Sequence, residues 1–386
     1  MQLKSKKHSA PMAGARITSV KSCLTDVPLN NPAVFATRTV TSRQYLLVRV
    51  ETSDGCSGIG AAYVGDEGGE IAVAAVRSLL ARQVIGEDPS LTEALWSKMY
   101  RHALLQGRAG SVLRAISAID IALWDRNAKA VGLPIWRMLG GCMSGSVPAY
   151  ASGGYYYPER DVDQLQAEFA GYVSLGFDAV KMKVGRASPS VDRDRVRAAR
   201  EAIGPDVRLM MDANNAWPDV ATAMQFLSLV EEFNPFWIEE PFLPDDIESH
   251  ARLATRTSIG IAGGEIEAGR WRFRDLIERG AVQIAQPDMF ACGGVSEWCR
   301  IATIADAAGI PVCTHAWQDF HAPLMASAPN AMFVEYFSDD RIVNLQNLLD
   351  RPLLIEGGRM VLSEEPGFGF EFNEMAVAKS MRMGWE

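Results

Sequence analysis

Eight short apolar runs, each followed by a stretch of helical spacing, restrict the fold more than any other feature of this 386-residue chain. Strands that alternate with helices along a chain pair in parallel, and eight of them with helices outside can close into a barrel. We therefore predict an α/β fold, a (β/α)₈ TIM-type barrel, over residues 146–354. The eight runs span 147–152, 179–183, 207–212, 236–239, 261–265, 282–288, 310–315 and 332–336.

The residues before the barrel have a different hydrophobic pattern, which predicts a smaller α+β capping domain over residues 1–145. Residues 45–64 alternate apolar and polar side chains on both sides of Asp54 and Gly55, a pair typical of hairpin turns. A helical pattern of apolar residues follows and ends at Gly132. This part of the chain is therefore expected to contain an antiparallel hairpin and a long helix.

The charge and the cysteines argue against several classes of function. The formal charge is 38 − 47 = −9, which speaks against nucleic acid or an anionic membrane surface as the main partner. No apolar run approaches the roughly 18 residues of a membrane span. The six cysteines form no CxxC pair, which indicates neither a zinc cluster nor a disulfide framework and favours the cytoplasm. A small carboxylate substrate, held by local positive charge, is the expected partner.

Polar residues stand at the ends of seven of the eight runs, 20 to 29 residues apart. The C-terminal ends of barrel strands open on one mouth, where catalytic residues collect. A single polar residue after a strand is most often an ordinary loop residue, but a series in register with the strands indicates a functional site. The residues are Lys183, Asp212, Glu239, Glu265, Asp288, His315 and Glu335.

Three carboxylates in this series predict a metal site. Asp212, Glu239 and Glu265 come from successive strands, which lie about 4.8 Å apart, so their side chains can converge. A hard divalent cation relieves the repulsion between them, and Mg²⁺ is the expected choice. Glu240 is an alternative to Glu239, because neighbours on a strand point to opposite faces.

Two further features predict groups that move protons. Lys181 and Lys183 are two residues apart and share one strand face; a nearby cation and a second ammonium should lower the pKa of Lys183 and make it a base near neutrality. Asp288 ends the strand beside that of His315, and it should fix the tautomer of the imidazole and stabilise its protonated form. His321 is expected to be a loop or core residue without such a carboxylate neighbour.

A cation between two such groups suits removal of the proton α to a substrate carboxylate. The negative charge of the resulting enediolate is the main obstacle, and a metal ion stabilises it. Glu335 is expected beside the second oxygen of the substrate carboxylate.

The residues above resemble the enolase superfamily, and within it the mandelate racemase subgroup, over nearly the whole chain. Each motif alone is weak, whereas the ordered set is highly specific. The motifs are AISAIDIALWDRNAKAVGLPIWRMLGG in the capping domain, KMK (181–183), DAN (212–214), WIEEP (237–241), AGGE (262–265), QPD (286–288) with GG (293–294), TH (314–315) and the tail EEPGFGFEF.

The resemblance implies a role for each matched residue. Lys183 acts as the base on one face of the substrate, and His315 with Asp288 acts as the acid or base on the other. Glu335 assists the substrate carboxylate, residues 355–386 return to the capping domain, and the enzyme is expected to be a homo-oligomer. The implied ligands of Mg²⁺ are Asp212, Glu239 and Glu265.

The same residues support two activities in such families, racemisation of a 2-hydroxy acid and dehydration of a sugar acid. No lysine stands between Lys183 and Lys379, which disfavours the branches with a second catalytic lysine at strand six. The capping loop expected at 25–44 and the stretch 152–160 carry arginines, threonines and tyrosines, and such polar walls favour a polyhydroxylated acid, with a diacid as one option. The candidate substrate-binding residues are Arg38, Tyr155, Asn214 and Trp317.

Dehydration of an aldonate or aldarate to a 2-keto-3-deoxy acid is therefore the predicted reaction. Racemisation or epimerisation of a 2-hydroxy acid is the alternative. A barrel that has lost its activity and acts as a binding protein is a third option, which the intact set of seven residues disfavours.

Overall fold

The structure is a computed structural model that describes residues 14–141, 144–157, 161–338 and 342–386. It contains a closed parallel barrel with helices and a separate antiparallel cap, which confirms the predicted fold class. Cys142 and the last three residues of the stretch 152–160 lie outside the described ranges. The other five cysteines are unpaired.

The cap is built on an antiparallel sheet. The predicted turn at Asp54 and Gly55 joins its second and third strands, and Gly55 has a φ of 81°, which glycine adopts at little cost. Residues 25–44, predicted to be a loop, are instead the outer parts of the first two strands and the turn that joins them, because their backbone groups pair, for example Thr25 opposite Tyr45 and Val34 opposite Thr39. The strands are β1 (Ile17–Val34), β2 (Thr39–Thr52) and β3 (Ser57–Tyr63).

A long helix lies between this sheet and the barrel. It approaches β3 closely because Gly58 and Gly60 carry no side chain; a Cβ on Gly60 would lie 2.0 Å from the carbonyl oxygen of Ala118. The helix ends at Gly132 in the left-handed conformation, as predicted. The cap helices are α1 (Glu70–Ala74), a π-helical segment (Ala75–Leu80), α2 (Ala81–Val84), α3 (Thr92–His102), the long helix α4 (Gly110–Val131) and α5 (Ile135–Met138).

Eight parallel strands form the barrel, and the last pairs with the first to close it. Its lower interior is filled by apolar side chains that include Tyr150, Met210, Trp237 and Phe333, so the barrel is a packed core that opens only at its ends. The strands are β4 (Ser146–Gly153), β5 (Ala179–Lys183), β6 (Arg208–Asp212), β7 (Pro235–Glu239), β8 (Gly260–Gly263), β9 (Ile284–Ala285), β10 (Val312–Cys313) and β11 (Ala331–Tyr336).

Helices follow each of the first seven barrel strands. The helices are α6 (Val162–Ser174), α7 (Pro189–Ile203), α8 (Val220–Val230), α9 (Ile247–Ala254), α10 (Gly269–Glu278), α11 (Met289–Cys292), α12 (Gly294–Ala307) and α13 (Gln318–Met325). Two 3₁₀ turns, Glu231–Phe233 and Leu345–Leu348, complete this region.

The C-terminal segment contacts both parts of the molecule. Its first strands, β12 (Ile355–Glu356) and β13 (Arg359–Val361), form a hairpin that pairs with β4 of the barrel. The chain then runs through α14 (Glu374–Ser380) to β14 (Met381–Met383), which pairs with β1 of the cap. The segment reaches the cap from Ser363 onward, where the Ser363 carbonyl accepts the indole N–H of Trp136 at 2.8 Å. None of the helices in the described ranges is long and apolar enough to cross a membrane.

Candidate active site

The carboxylates of three adjacent strands meet at the C-terminal mouth of the barrel. Asp212 ends β6 and Glu239 ends β7, and the two are direct register partners. Glu265 follows β8. One ligand oxygen from each lies within 4.8 Å of the others, and all three side chains are buried. The structure thus brings the three predicted metal ligands together.

This cluster fits a hard divalent cation. Its donors are all carboxylate oxygens, which Mg²⁺ prefers, and three buried negative charges need compensation. Glu240, the alternative ligand, is not part of the cluster. Its φ of 42° marks the point where the backbone leaves the strand direction.

Lys181 bridges the carboxylates from below the mouth. Its Nζ lies 2.7 Å from Glu239 Oε1, 2.7 Å from Glu335 Oε1 and 3.6 Å from Asp212 Oδ2, and all four side chains are buried. Burial by itself lowers the pKa of a lysine, but the surrounding carboxylates outweigh it and hold the pKa of Lys181 well above its usual value. Lys181 is therefore a fixed positive charge.

Lys183 contacts Asp212 directly through Oδ2. Its Nζ lies 5.2 Å from the ring centroid of Phe35, in the cap, and 5.2 Å from that of Tyr155. Burial lowers the pKa of Lys183 and the ammonium of Lys181 also lowers it, but the charge of Asp212 outweighs both and raises the pKa above its usual value. The predicted lowering of the pKa of Lys183 requires a bound cation that shares the charge of Asp212, so it stays a prediction.

His315 stands at the other side of the carboxylate cluster. Its Nδ1 lies 2.9 Å from Asp288 Oδ2, and its Nε2 lies 3.6 Å from Glu265 Oε1. Burial lowers the pKa of the imidazole, but the charges of Glu265 and Asp288 outweigh it and raise the pKa to about 9. The pairing with Asp288 is the one that the sequence predicts, and it leaves Nε2 facing the cluster.

His321 is a buried core residue in α13. Its Nδ1 lies 2.9 Å from the Ala316 carbonyl oxygen, and its Nε2 accepts a hydrogen bond from the Met289 backbone N–H at 3.0 Å. These bonds fix the neutral tautomer with the proton on Nδ1. The expectation that His321 has no carboxylate neighbour is wrong, since Asp288 Oδ1 lies 3.8 Å from its Nε2.

Glu335 is held on both of its oxygens. Oε1 faces Lys181, and Oε2 accepts a hydrogen bond from the Ala316 backbone N–H at 2.7 Å. Burial raises the pKa of this carboxyl, but Lys181 and His315 outweigh the burial and lower it. Glu335 is thus an ionised partner of Lys181 rather than a protonated donor.

The four predicted substrate-binding residues lie in different settings. Tyr155 is buried beside Lys183, and Arg38 is exposed in the turn of the β1–β2 hairpin. Asn214 donates from its backbone to Asp212 Oδ1 at 2.9 Å, and its own buried Oδ1 has no hydrogen-bond partner among the described residues. Trp317 is buried, and its indole N–H is already donated to Asp288 at 2.9 Å.

The β1–β2 hairpin covers the mouth as the sequence predicts, although it is not a loop. The Thr37 hydroxyl donates to the Asn214 carbonyl at 3.2 Å, and the Arg186 guanidinium donates to the Phe35 carbonyl at 3.0 Å. These bonds hold the turn at 35–38 on the barrel rim.

Sequence reasoning missed two residues near the site. Gln286 donates from Nε2 to Glu239 Oε2 at 2.7 Å; its position two residues before Asp288 placed it near the strand end. Arg114 donates to the Tyr63 carbonyl at 2.6 Å from the otherwise apolar start of α4. A charged residue within an apolar helical stretch was the available signal.

A closed parallel barrel with a capping sheet, and with a lysine and a histidine on either side of three carboxylates, defines a class of metal-centred barrel enzymes. The chain belongs to the mandelate racemase and muconate lactonizing enzyme family: the N-terminal domain of that family matches residues 17–140, and the enolase C-terminal domain-like family matches residues 164–376. The resemblance predicted from the motifs is confirmed.

Characterised relatives are similar over most of their length. Arabinonate dehydratase from Saccharolobus solfataricus is 32% identical over 86% of this chain and 89% of its own. D-galactarolactone cycloisomerase from Agrobacterium fabrum is 34% identical over 94% and 98%. L-talarate/galactarate dehydratase from Salmonella typhimurium is 34% identical over 95% and 92%. The protein is an enzyme whose named relatives are lyases and isomerases.

Solved structures agree with this assignment. A racemase from Streptomyces coelicolor with bound magnesium superposes with a TM-score of 0.88 at 30% identity, over 95% of this chain and 99% of the other. L-talarate dehydratase from Polaromonas sp., complexed with Mg and L-glucarate, superposes with a TM-score of 0.86 at 33% identity, over 97% and 99%.

Proposed function

We propose that the protein dehydrates a sugar acid, an aldonate or an aldarate, to a 2-keto-3-deoxy acid. The observation that carries this proposal is the placement of Lys183 and His315 on either side of one carboxylate cluster: Lys183 contacts Asp212, and His315 lies 3.6 Å from Glu265. A substrate carboxylate bound at the cluster would present its α-carbon between a base and an acid. The named relatives, which include three sugar-acid dehydratases, support the same reaction class.

Mg²⁺ is the cofactor that the cluster fits. Held by Asp212, Glu239 and Glu265, it would offset their charge, lower the pKa of Lys183 and stabilise the negative charge that develops on the substrate carboxylate. Magnesium in the racemase and the talarate dehydratase structures supports this choice of metal.

Three side chains of the protein have separate roles in the proposed reaction. Lys183 takes the proton from C2 of the substrate. Lys181, held by Glu239 and Glu335, keeps a fixed positive charge near the developing negative charge. Asp288 stabilises the protonated form of His315, which donates the proton on Nε2 to the hydroxyl that leaves from C3 as water. The enol that remains becomes the 2-keto-3-deoxy acid by tautomerisation, so the net change is the loss of one water.

Racemisation or epimerisation remains the second candidate, because the same pair of groups can invert C2. Lys183 would remove the proton from one face and His315 would return one to the other. The racemase from Streptomyces coelicolor supports this alternative. A retired barrel is disfavoured, because its seven site residues would have no need to stay assembled.

The test is a screen of the purified protein with Mg²⁺ against aldonic, uronic and aldaric acids, with the 2-keto product measured as its semicarbazone. Lys183→Ala and His315→Asn should abolish the product. Lys98→Ala and His102→Asn, which change the same residue types on the surface of α3, should retain it. Solvent deuterium at C2 of an acid without any keto product would replace dehydration by epimerisation.

A further inference from the structure

Three arginines of the cap lie near the mouth of the barrel, although the chain carries a formal charge of −9. The Arg38 guanidinium lies 5.3 Å from the ring centroid of Phe35, the ring that also lies 5.2 Å from Lys183 Nζ. The Arg43 guanidinium lies 5.1 Å from the ring centroid of Tyr63. Arg114 donates to the carbonyl of the same tyrosine at 2.6 Å. Positive charge is thus collected on the side of the cap that faces the site.

Arg114 lies above the His315 side of the site. Its helix, α4, packs against α11, which begins directly after Asp288. Burial lowers the pKa of Arg114, while the negative charges of Asp288 and Glu265 raise it and the positive charge of Arg38 lowers it. The ring of Tyr63, whose carbonyl binds Arg114, lies 5.1 Å from that of Trp317, and the Trp317 indole donates to Asp288 at 2.9 Å. Arg114 therefore lies close to the side of the site formed by Asp288 and His315.

Neither Arg38 nor Arg114 has a carboxylate partner among the residues that the structure describes. Arg114 donates one N–H bond to a neutral carbonyl, and Arg38 only stacks on a ring. A guanidinium has five N–H donors in a fork that matches a carboxylate. An anion that lies between two guanidinium groups is stabilised by both of them. The pair is therefore suited to a carboxylate that arrives with the substrate.

We propose that Arg114, together with Arg38, binds the distal carboxylate of a dicarboxylic sugar acid. This inference rests on the proposed function and narrows its substrate to the aldarates. The carboxylate beside the reacting carbon lies at the Asp212, Glu239 and Glu265 cluster, between Lys183 and His315. The far end of an extended substrate then points out of the barrel, towards the cap and its arginines.

The experiment compares matched pairs of acids, an aldarate and the aldonate of the same stereochemistry, on Arg114→Gln, Arg114→Lys and Arg38→Gln. For Arg114→Gln we expect kcat/KM for the aldarate to fall about 100-fold, mainly through KM, and that for the aldonate to change less than about threefold. Arg114→Lys should retain part of the selectivity for the aldarate over the aldonate, because lysine keeps the positive charge but lacks the two parallel N–H donors of a guanidinium. Arg197→Gln, which removes an exposed guanidinium on α7, is the matched control.

Binding measured without turnover separates this inference from the proposed function. Calorimetric titration of Lys183→Ala protein in Mg²⁺ with the aldarate should show binding that Arg114→Gln weakens, whichever reaction the enzyme catalyses. Equal losses for diacid and monoacid would assign Arg114 to support of Asp288 and overturn the proposal. So would unchanged kinetics, or the absence of any aldarate binding. Arg38→Gln, at an exposed position, keeps the test open if Arg114→Gln fails to fold.

Discussion

Trp317 donates its indole N–H to Asp288 Oδ2 at 2.9 Å, and the same oxygen lies 2.9 Å from Nδ1 of His315. The other oxygen of Asp288 accepts the backbone N–H of Phe290 at 2.7 Å. The Asp288 carboxylate is therefore fixed through both of its oxygens. It in turn fixes the orientation of the His315 imidazole, whose Nε2 faces the cluster of Asp212, Glu239 and Glu265. Trp317 acts on the site through Asp288 and is, in this structure, a positioning residue.

Trp317→Phe is expected to lower kcat about 10-fold with little change in KM, because it removes one hydrogen bond to an ionised carboxylate. The phenyl ring keeps the stacking on Phe290. Trp136→Phe, which removes a similar indole bond to the Ser363 carbonyl in a different part of the molecule, is the control. Steady-state kinetics of both variants give kcat and KM. An equal fall of kcat in Trp317→Phe and Trp136→Phe would show that Trp317 is not a positioning residue.

Glu265→Gln is expected to abolish tight Mg²⁺ binding while the protein stays folded. Among the described residues, its one ion pair is the 3.6 Å approach to His315, and His315 keeps Asp288 as a partner when Glu265 is replaced by the neutral amide. Mg²⁺ at 100 times its Kd should stabilise the unchanged protein by about 2.7 kcal/mol. The melting temperature with and without Mg²⁺ measures this, and the variant should show no shift. A full shift in the variant would exclude Glu265 as a ligand.

Lys181→Met is expected to destabilise the metal-free protein by about 3 to 5 kcal/mol, because it leaves the ionised Glu335 as a buried charge without its cation. Adding Glu335→Gln should recover part of this loss, since that charge is then removed. Denaturant unfolding in chelator gives the free energies. Lys98→Met, which breaks an exposed ion pair with Glu87, is the control and should leave the free energy of unfolding nearly unchanged.

Asp319 should make stability depend on pH. Burial raises the pKa of this carboxyl to about 6, even though the Leu353 backbone N–H donates to it. The folded state therefore holds the proton more tightly than the unfolded state, so this contribution is fully present below about pH 4 and is lost as the pH rises through about 6. Asp319→Asn removes it.

The free energies of unfolding of the two proteins, measured from pH 4 to 8, test this. The Asn variant should become the more stable one above pH 6, by about 2 to 3 kcal/mol. Parallel curves for the two proteins would show that Asp319 titrates alike in the folded and unfolded states.

Several parts of the site could be predicted because they follow from local patterns. Lys183, Asp212 and Glu239 each end a strand, and equal strand lengths bring them side by side in register. The strand pattern alone could not choose the inward glutamate between Glu239 and Glu240, since this depends on where the chain leaves the strand; the family resemblance selected Glu239. The conformation of residues 25–44 was also missed, because polar hairpin strands resemble a loop when only composition is considered.

The sequence by itself determined the barrel, the cap and the ring of polar residues at the mouth, because hydrophobic periodicity and the repeat of strand and helix are local properties of the chain. Only the tertiary structure decided which groups meet. It placed the indole of Trp317 against Asp288 and placed Arg114 above the mouth of the barrel. It also placed Asp212 against Lys183, whose pKa this carboxylate raises. These relations depend on distances of a few ångströms between segments far apart in the chain, and no local pattern encodes such distances.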